Sequence, residues 1–209
     1  MLGQYHRAMT EEALEGKMSP ETIQAVVTGN LYQDRLAGQF GHPEYHFDDN
    51  AFQAGYRFME LQKQIILSET SKNNIPTEAW LAFGRLTHAA QDFYAHSNYV
   101  RLWEKQFGAQ TTKIDPLLTE LLTHPDLRSG KIYQPFEWFS SNHGIGRWIK
   151  NRIPHDAHTW MNLDKPESGP LFFLAIEAAT QRTAWEFSEM VKQLAETGGT
   201  DQVVRFTGI

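Results

Sequence analysis

The sequence predicts an all-α, single-domain bundle of five to seven helices, and three observations carry that prediction. Apolar residues recur at helical spacing in segments that open on Ser-Pro, Asp-Pro or similar start signals. No two alternating apolar runs flank a turn signal, and no internal repeat is present. A chain of 209 residues with 41% hydrophobic content builds one sizeable core.

The elements follow in order. Thr10-Glu-Glu-Ala-Leu14 is a short capped helix start, with His6 ahead of it. Ser19 is a good N-cap before Pro20 at the first helical position, and Ile23, Val26, Val27 and Leu31 predict a helix over about 20–36. Asp48, Asp49 or Asn50 caps the next, in which Phe52, Met59, Ile65 and Ile66 run up to Ser68, and residues 71–74 form a turn. Pro76-Thr77 opens a third strong helix through Trp80, Leu81, Phe83 and Leu86 to His96 or beyond. Asp115-Pro116 starts a short helix bearing Leu117, Leu118, Leu121 and Leu122 that stops before Pro125. From about 124 to 169 prolines and glycines interrupt an aromatic-rich stretch, which predicts short helices and loops. The last strong helix runs from Pro170 to about Glu196 and ends at Gly198-Gly199. A metal-binding helical domain over 1–197 and a frayed tail over 198–209 are the expected division.

Composition narrows the chemistry. The absence of cysteine removes disulfides, thiolate nucleophiles and Cys-based zinc sites, so a transition-metal site must be built from His, Asp and Glu. A net charge of -6 argues against a broad phosphate-tracking surface but leaves room for a local site acting on phosphoesters. Met1-Leu-Gly-Gln-Tyr-His6 has neither a basic nor an apolar leader region, and no stretch is long and apolar enough to span a membrane. As written, the chain reads as soluble and cytoplasmic, with export only by a non-Sec route or after loss of a leader.

Four packets of ligand-type residues stand out. In Gly84-Arg-Leu-Thr-His88-Ala-Ala-Gln-Asp92-Phe-Tyr-Ala-His96-Ser-Asn98, His88, Asp92 and His96 share one helical stripe, with about 40° of drift per step. Their apolar and small neighbours point to burial, which ionisable groups tolerate only when paired or metal-bound. The plain alternative is an ordinary His88–Asp92 hydrogen-bonded pair. Asp34 continues the face of Ile23, Val27 and Asn30 and so points inward, unless it lies exposed beside Arg35. His42-Pro-Glu-Tyr-His46-Phe-Asp48-Asp49 is dense in nitrogen and oxygen ligands, with helix capping as the ordinary role of Asp48 and Asp49. His155-Asp-Ala-His158 and Asp164 form a later packet in the irregular region.

Together, Gly84-x3-His88-x3-Asp92-Phe-Tyr-Ala-His96-Ser-Asn98, Asn30-x3-Asp34, His46-Phe-Asp48 and the early His6 resemble the zinc-dependent phospholipase C superfamily. That superfamily includes the single-strand-specific nucleases, and the likeness is greatest to the branch related to fungal heterokaryon-incompatibility C proteins. The resemblance implies two or three zinc ions in a helical bundle. It implies Asp34, His46, His88 and Asp92 around one ion, Asp92 bridging to a second that His6 helps to hold, and His96 at a third. His158 and Asp164 stand in for the remaining third-ion ligands, with His155 and His143 behind them. The implied activity is phosphodiester hydrolysis, on a phospholipid head group slightly ahead of single-stranded nucleic acid. Zinc would supply hydroxide and neutralise phosphoryl charge, and Asp34 would orient or deprotonate the water.

Competing readings are a non-catalytic domain stapled by metal for partner or membrane interaction, and a His-Asp dyad phosphohydrolase built on His155-Asp156. Trp138, Phe139, Trp148 and Trp160 serve either as a substrate rim or as core. Glu177, inside the final helix, is a further candidate ligand.

Overall fold

The computed structural model describes residues 1–39, 41–108, 113–139 and 144–209. Helices α1 (Gly3–Leu14), α2 (Pro20–Tyr32), α3 (Leu36–Gln39), α4 (Pro43–His46), α5 (Phe52–Thr70), α6 (Thr77–His96) and α7 (Tyr99–Phe107) come first. They are followed by α8 (Thr119–Leu122), α9 (Gly144–Lys150), α10 (His158–Met161) and α11 (Leu171–Thr207). The all-helical class holds, with isolated bridges Ser97–Ser129 and Lys131–Ala157 as the only β pairing among the described residues. Five helices of twelve or more residues make the bundle, and of the short ones α4 carries His46 and α10 carries His158.

The architecture is organised around α6. Its residues Phe83 and Leu86 to His96 are buried all round, against α2, α5 and α11. Two glycines let α2 and α6 approach backbone to backbone. A Cβ on Gly84 would overlap the Val26 carbonyl and press on the Asn30 amide, and one on Gly29 would overlap the Leu81 carbonyl. That approach brings Asn30 against His88.

Several boundaries differ from the sequence expectation. α1 begins at Gly3, before the Thr10 start signal, and places His6 inside the helix with its side chain fully buried. α2 ends at Tyr32, so Asp34 sits in the turn that follows and not on the helical face. Ser19 does cap α2, accepting a hydrogen bond from the Thr22 amide at 3.2 Å. Asp48 caps nothing: α5 starts at Phe52 with Ala51 at its N-cap position.

The expected frayed tail is helical and docked. α11 kinks at Gly199 (φ 67°) and continues to Thr207. Phe206 is fully buried against Phe83 and Phe187, its carbonyl accepts from Trp80 Nε1 at 2.9 Å, and the Thr207 carbonyl accepts from the Ser19 amide at 2.8 Å. The double glycine breaks the helix line without ending the packing, because apolar residues resume beyond it. No helix among the described residues is long and apolar enough to cross a membrane.

Candidate metal centre

Asp92 is fully buried near the C-terminal end of α6, and its two oxygens face different groups of histidines. Oδ2 lies 2.8 Å from His46 Nδ1 and 3.0 Å from His88 Nε2, and Asp34 Oδ1 lies 3.7 Å from the same His88 nitrogen. Oδ1 lies 3.2 Å from His6 Nε2, 2.7 Å from the Met1 amino group and 3.9 Å from His96 Nε2. Ligand atoms of His6, His88 and Asp92 form one compact group, those of Asp34, His46 and His88 a second, and those of Asp48, His96 and His158 a third.

The protons on these rings are assigned by the surrounding hydrogen bonds. Thr183 donates its hydroxyl to the Ala179 carbonyl, so it accepts from Gln91 Nε2 at 3.0 Å, which turns Gln91 Oε1 towards His6 Nδ1 at 2.6 Å. His6 Nδ1 therefore donates. Thr87 likewise donates to the Gly84 carbonyl and accepts from Asn30 Nδ2, which leaves Asn30 Oδ1 to accept from His88 Nδ1 at 3.3 Å. His96 Nδ1 faces the His46 carbonyl at 2.9 Å and so also donates outward, whereas His46 faces the Gly38 carbonyl with Nε2 at 3.3 Å and Asp92 Oδ2 with Nδ1 at 2.8 Å.

The consequence is a convergence of acceptors. His6 Nε2 and His88 Nε2 keep their lone pairs and point them at the Asp92 carboxylate. His6 Nε2 is buried with no hydrogen-bond partner. His88 Nε2 and His46 Nδ1 lie 3.1 Å apart. Buried acceptors so arranged are unfavourable unless a cation stands among them. The donor set, imidazole with carboxylate and no thiolate, fits a hard or borderline divalent ion such as zinc.

Electrostatics divide the centre in two. Burial, with repulsion from His6 and His46, holds His88 well below the ordinary imidazole range although Asp92 pulls the other way. Burial opposes ionisation of Asp92, but the Met1 amino group and the surrounding histidines keep it well below the usual carboxylate range. Asp34, at the edge, is raised by burial and by Asp92. In the other half burial disfavours charge on His96, yet Asp92 and Asp48 raise it to about 9. Burial is likewise overcome at His158, which Asp48 and Asp164 raise well above the imidazole range. Asp48 lies 2.8 Å from His158 Nδ1, and Asp164 lies 3.1 Å from His96 Nε2 and 3.7 Å from His158 Nε2.

All eight sequence-predicted ligands, His6, Asp34, His46, His88, Asp92, His96, His158 and Asp164, thus meet in one region. Asp48, which the sequence offers either as a ligand or as a helix cap, lies with His96 and His158 in the third group. Gln91 was missed because an amide inside a buried helix carries no ligand signature, although its place between His88 and Asp92 puts it beside their stripe. His155 faces Trp160, with ring centroids 5.0 Å apart, and Asp156 pairs with Lys131 at 2.8 Å, so His155-Asp156 is not a dyad of this centre. Glu177 accepts from Gln181 on its own helix, and the buried carboxylate of α11 is Glu186, paired with Arg182 and Lys63. His143 and the Trp138 side chain lie outside what is described.

His46 and Asp48 are held by a tight loop. Phe47, Asp49 and Asn50 all have positive φ, at 55°, 54° and 56°. Such backbone costs about 1–3 kcal/mol per residue and persists only where its surroundings enforce it. Here Asn50 Oδ1 accepts from the Ser129 amide and Asp49 Oδ1 from the Ile132 amide, both at 2.8 Å. The side chains of His46, Asp48, His42 and Asp49 then line a cavity of about 310 Å³ with Gln134 and Ile132 opposite.

Comparison with known proteins corrects the resemblance to the phospholipase C and nuclease superfamily. The family that matches is the VWA7 N-terminal domain, over residues 3–124. The rat (Rattus norvegicus) von Willebrand factor A domain-containing protein 7 is 31% identical over 83 residues, which are 39% of this chain and 9% of that protein. No solved structure matches the chain. Helical His-x3-Asp-x3-His spacing reports a shared helix face, which helices of unrelated descent can present, and so does not by itself identify a family. The match covers α1 to α8 and six of the eight predicted ligands, and the chain belongs to the VWA7 N-terminal domain family.

Proposed function

We propose that this domain is a metal-dependent hydrolase of phosphodiesters, with two or three divalent ions, zinc as the first assignment, held around Asp92. The observation that supports it most is the convergence of the imidazole nitrogens of His6, His46 and His88 on the buried Asp92 carboxylate, beside a solvent-accessible cavity lined by His46 and Asp48. A closed site would suit a structural ion, whereas an open edge leaves a coordination position for water and substrate.

An ion at that edge would lower the pKa of its bound water and neutralise phosphoryl charge. Asp34, partly exposed and with its carboxyl raised by burial and by Asp92, is suited to take a proton from water. Gln134 and Ile132 face the cavity from the opposite wall and would contact the substrate. Phospholipid is favoured over nucleic acid as substrate by the acidic net charge of -6.

The test is elemental analysis of the purified, undialysed protein, together with hydrolysis of bis(p-nitrophenyl) phosphate, phosphatidylcholine and single-stranded DNA. Two or more metal equivalents that are lost in Asp92→Ala, with hydrolysis lost in Asp34→Asn at retained metal, support the proposal. Absence of metal refutes it. A second reading, a purely structural ion, is favoured by the complete burial of His6, His88 and Asp92. One tightly held equivalent and no hydrolysis would establish that reading instead.

A further inference from the structure

We propose that a second site, separate from the metal centre, binds a phosphate monoester between Arg101, Lys105 and Arg128. These three cations line a cavity of about 350 Å³ completed by Asn98, Leu102, His155, Trp160 and Met161, with no carboxylate in its wall. The chain holds 25 acidic residues against 19 Lys and Arg, so acidic partners are not scarce. Among the described residues Arg7, Lys63, Lys72, Arg85, Lys131 and Arg182 pair with carboxylates. Arg101, Lys105 and Arg128 form no ion pair among the described residues.

The arrangement is also held in place. Arg101 and Lys105 are four residues apart on α7, where like charges on one face weaken the helix slightly. The backbone of Arg128 is tied to the start of α7, its amide donating to Asn98 Oδ1 at 2.8 Å and its carbonyl accepting from the Asn98 amide at 2.9 Å. Trp160 Nε1 donates to the Ile153 carbonyl at 3.2 Å, its ring is tilted 35° to that of His155 with centroids 5.0 Å apart, and Lys150 Nζ lies 4.7 Å from its centroid, so the cavity has an aromatic wall with a further cation beside it.

A dianionic phosphate would relieve the repulsion among the three cations, and the guanidinium groups offer paired donors that match its oxygens. The aromatic wall and Leu102 would take the ester's organic part. The cavity holds a small ligand or head group and offers no extended track for a polymer. It also lies on the far side of α10 from the metal centre: that helix directs His158 towards Asp48 and Asp164, and Trp160 into the basic cavity.

The experiment is a calorimetric titration of the purified protein with pyrophosphate, with Trp fluorescence read in parallel. The variants are Arg101→Gln/Arg128→Gln and Trp160→Phe. In a second arm the same proteins are sedimented with phosphatidylcholine vesicles with and without phosphatidic acid. The exposed arginine changes should leave thermal stability unchanged and weaken pyrophosphate binding about tenfold or more. Trp160→Phe should remove the fluorescence change. Sedimentation with phosphatidic acid that the double variant abolishes, without binding of free pyrophosphate, would identify the phosphate as lipid-borne. Pyrophosphate binding that the double variant leaves unchanged would place the anion elsewhere, at the metal centre for instance, and overturn the proposal. So would failure to bind in both arms.

Discussion

His6 Nε2 and Asp92 Oδ1 lie 3.2 Å apart in the buried interior, and neither has a hydrogen to give the other while the ring is neutral. The cause is one layer out. Thr183 and Thr87 spend their hydroxyl hydrogens on helix carbonyls, which orients Gln91 and Asn30, which in turn take the Nδ1 hydrogens of His6 and His88. The lone pairs are thereby directed inward before any ion arrives.

Gln91→Leu tests that arrangement. It keeps much of the side-chain volume but leaves Asn30 Nδ2, His6 Nδ1 and the Thr10 and Thr183 hydroxyls short of a partner. Unfolding in urea should show a loss of about 1–3 kcal/mol. Metal affinity, measured by competition with a chromophoric chelator, should fall about 10–100-fold. An unchanged affinity would show that Gln91 only packs.

The metal-free protein should respond to pH in two opposite ways. His96 is raised to about 9 and His158 lies well above 6.5, so both gain partners on folding. Their stabilisation is complete below pH 6.5 and is lost as pH rises through about 9. His88 is depressed, so its neutral form contributes above pH 6.5, and stability falls as pH drops below that value. Thermal melts of chelated protein should show a maximum near pH 6.5. Added zinc should flatten the alkaline side, because ions replace the protons at His96 and His158. Alkaline melts insensitive to both chelator and zinc would contradict the assignment.

Much of the site was legible because it follows helix geometry: a four-residue repeat of His88, Asp92 and His96 must share a stripe wherever the helix lies. His6, His46, His158 and Asp164 were found as chemistry-bearing residues, but their meeting depends on packing that no local pattern encodes. Asp34 reached the centre by a route other than the one expected, from a turn after α2 instead of its face. For Asp48 the sequence leaves ligand and cap open, because its place ahead of a helix suits both, and Gln91 is not legible because an amide belongs to no ligand class. The family was misjudged for a related reason, since the motif encodes a geometry and not a lineage.

Gly84→Ala tests the helix crossing that brings Asn30 to His88. The added Cβ would collide with backbone atoms of Val26 and Asn30, which cannot swing aside as a flexible side chain could. Overpacking of this kind costs about 1–3 kcal/mol or more, against a gain in helix propensity of about 1 kcal/mol. Denaturation should therefore show net destabilisation, and crystals of the variant should show α2 displaced from α6. A stabilised variant would mean that the two helices are less closely apposed than described.

The C-terminal segment gives the clearest contrast between pattern and packing. Gly198-Gly199 is a strong stop signal, and a frayed tail beyond it would make Phe206 dispensable. In the fold Phe206 is fully buried between Phe83 and Phe187, and its carbonyl accepts from Trp80. Phe206→Ala should then cost about 3–5 kcal/mol, the range for emptying a buried aromatic site. Truncation after Thr200 should cost at least as much, because it also removes the Thr207 carbonyl that accepts from the Ser19 amide at the start of α2. Substituting exposed Ile209 should change little. If Phe206→Ala melts like the parent while hydrogen exchange shows residues 200–209 unprotected, the stop signal had been the better guide, and α11 ends at the glycines.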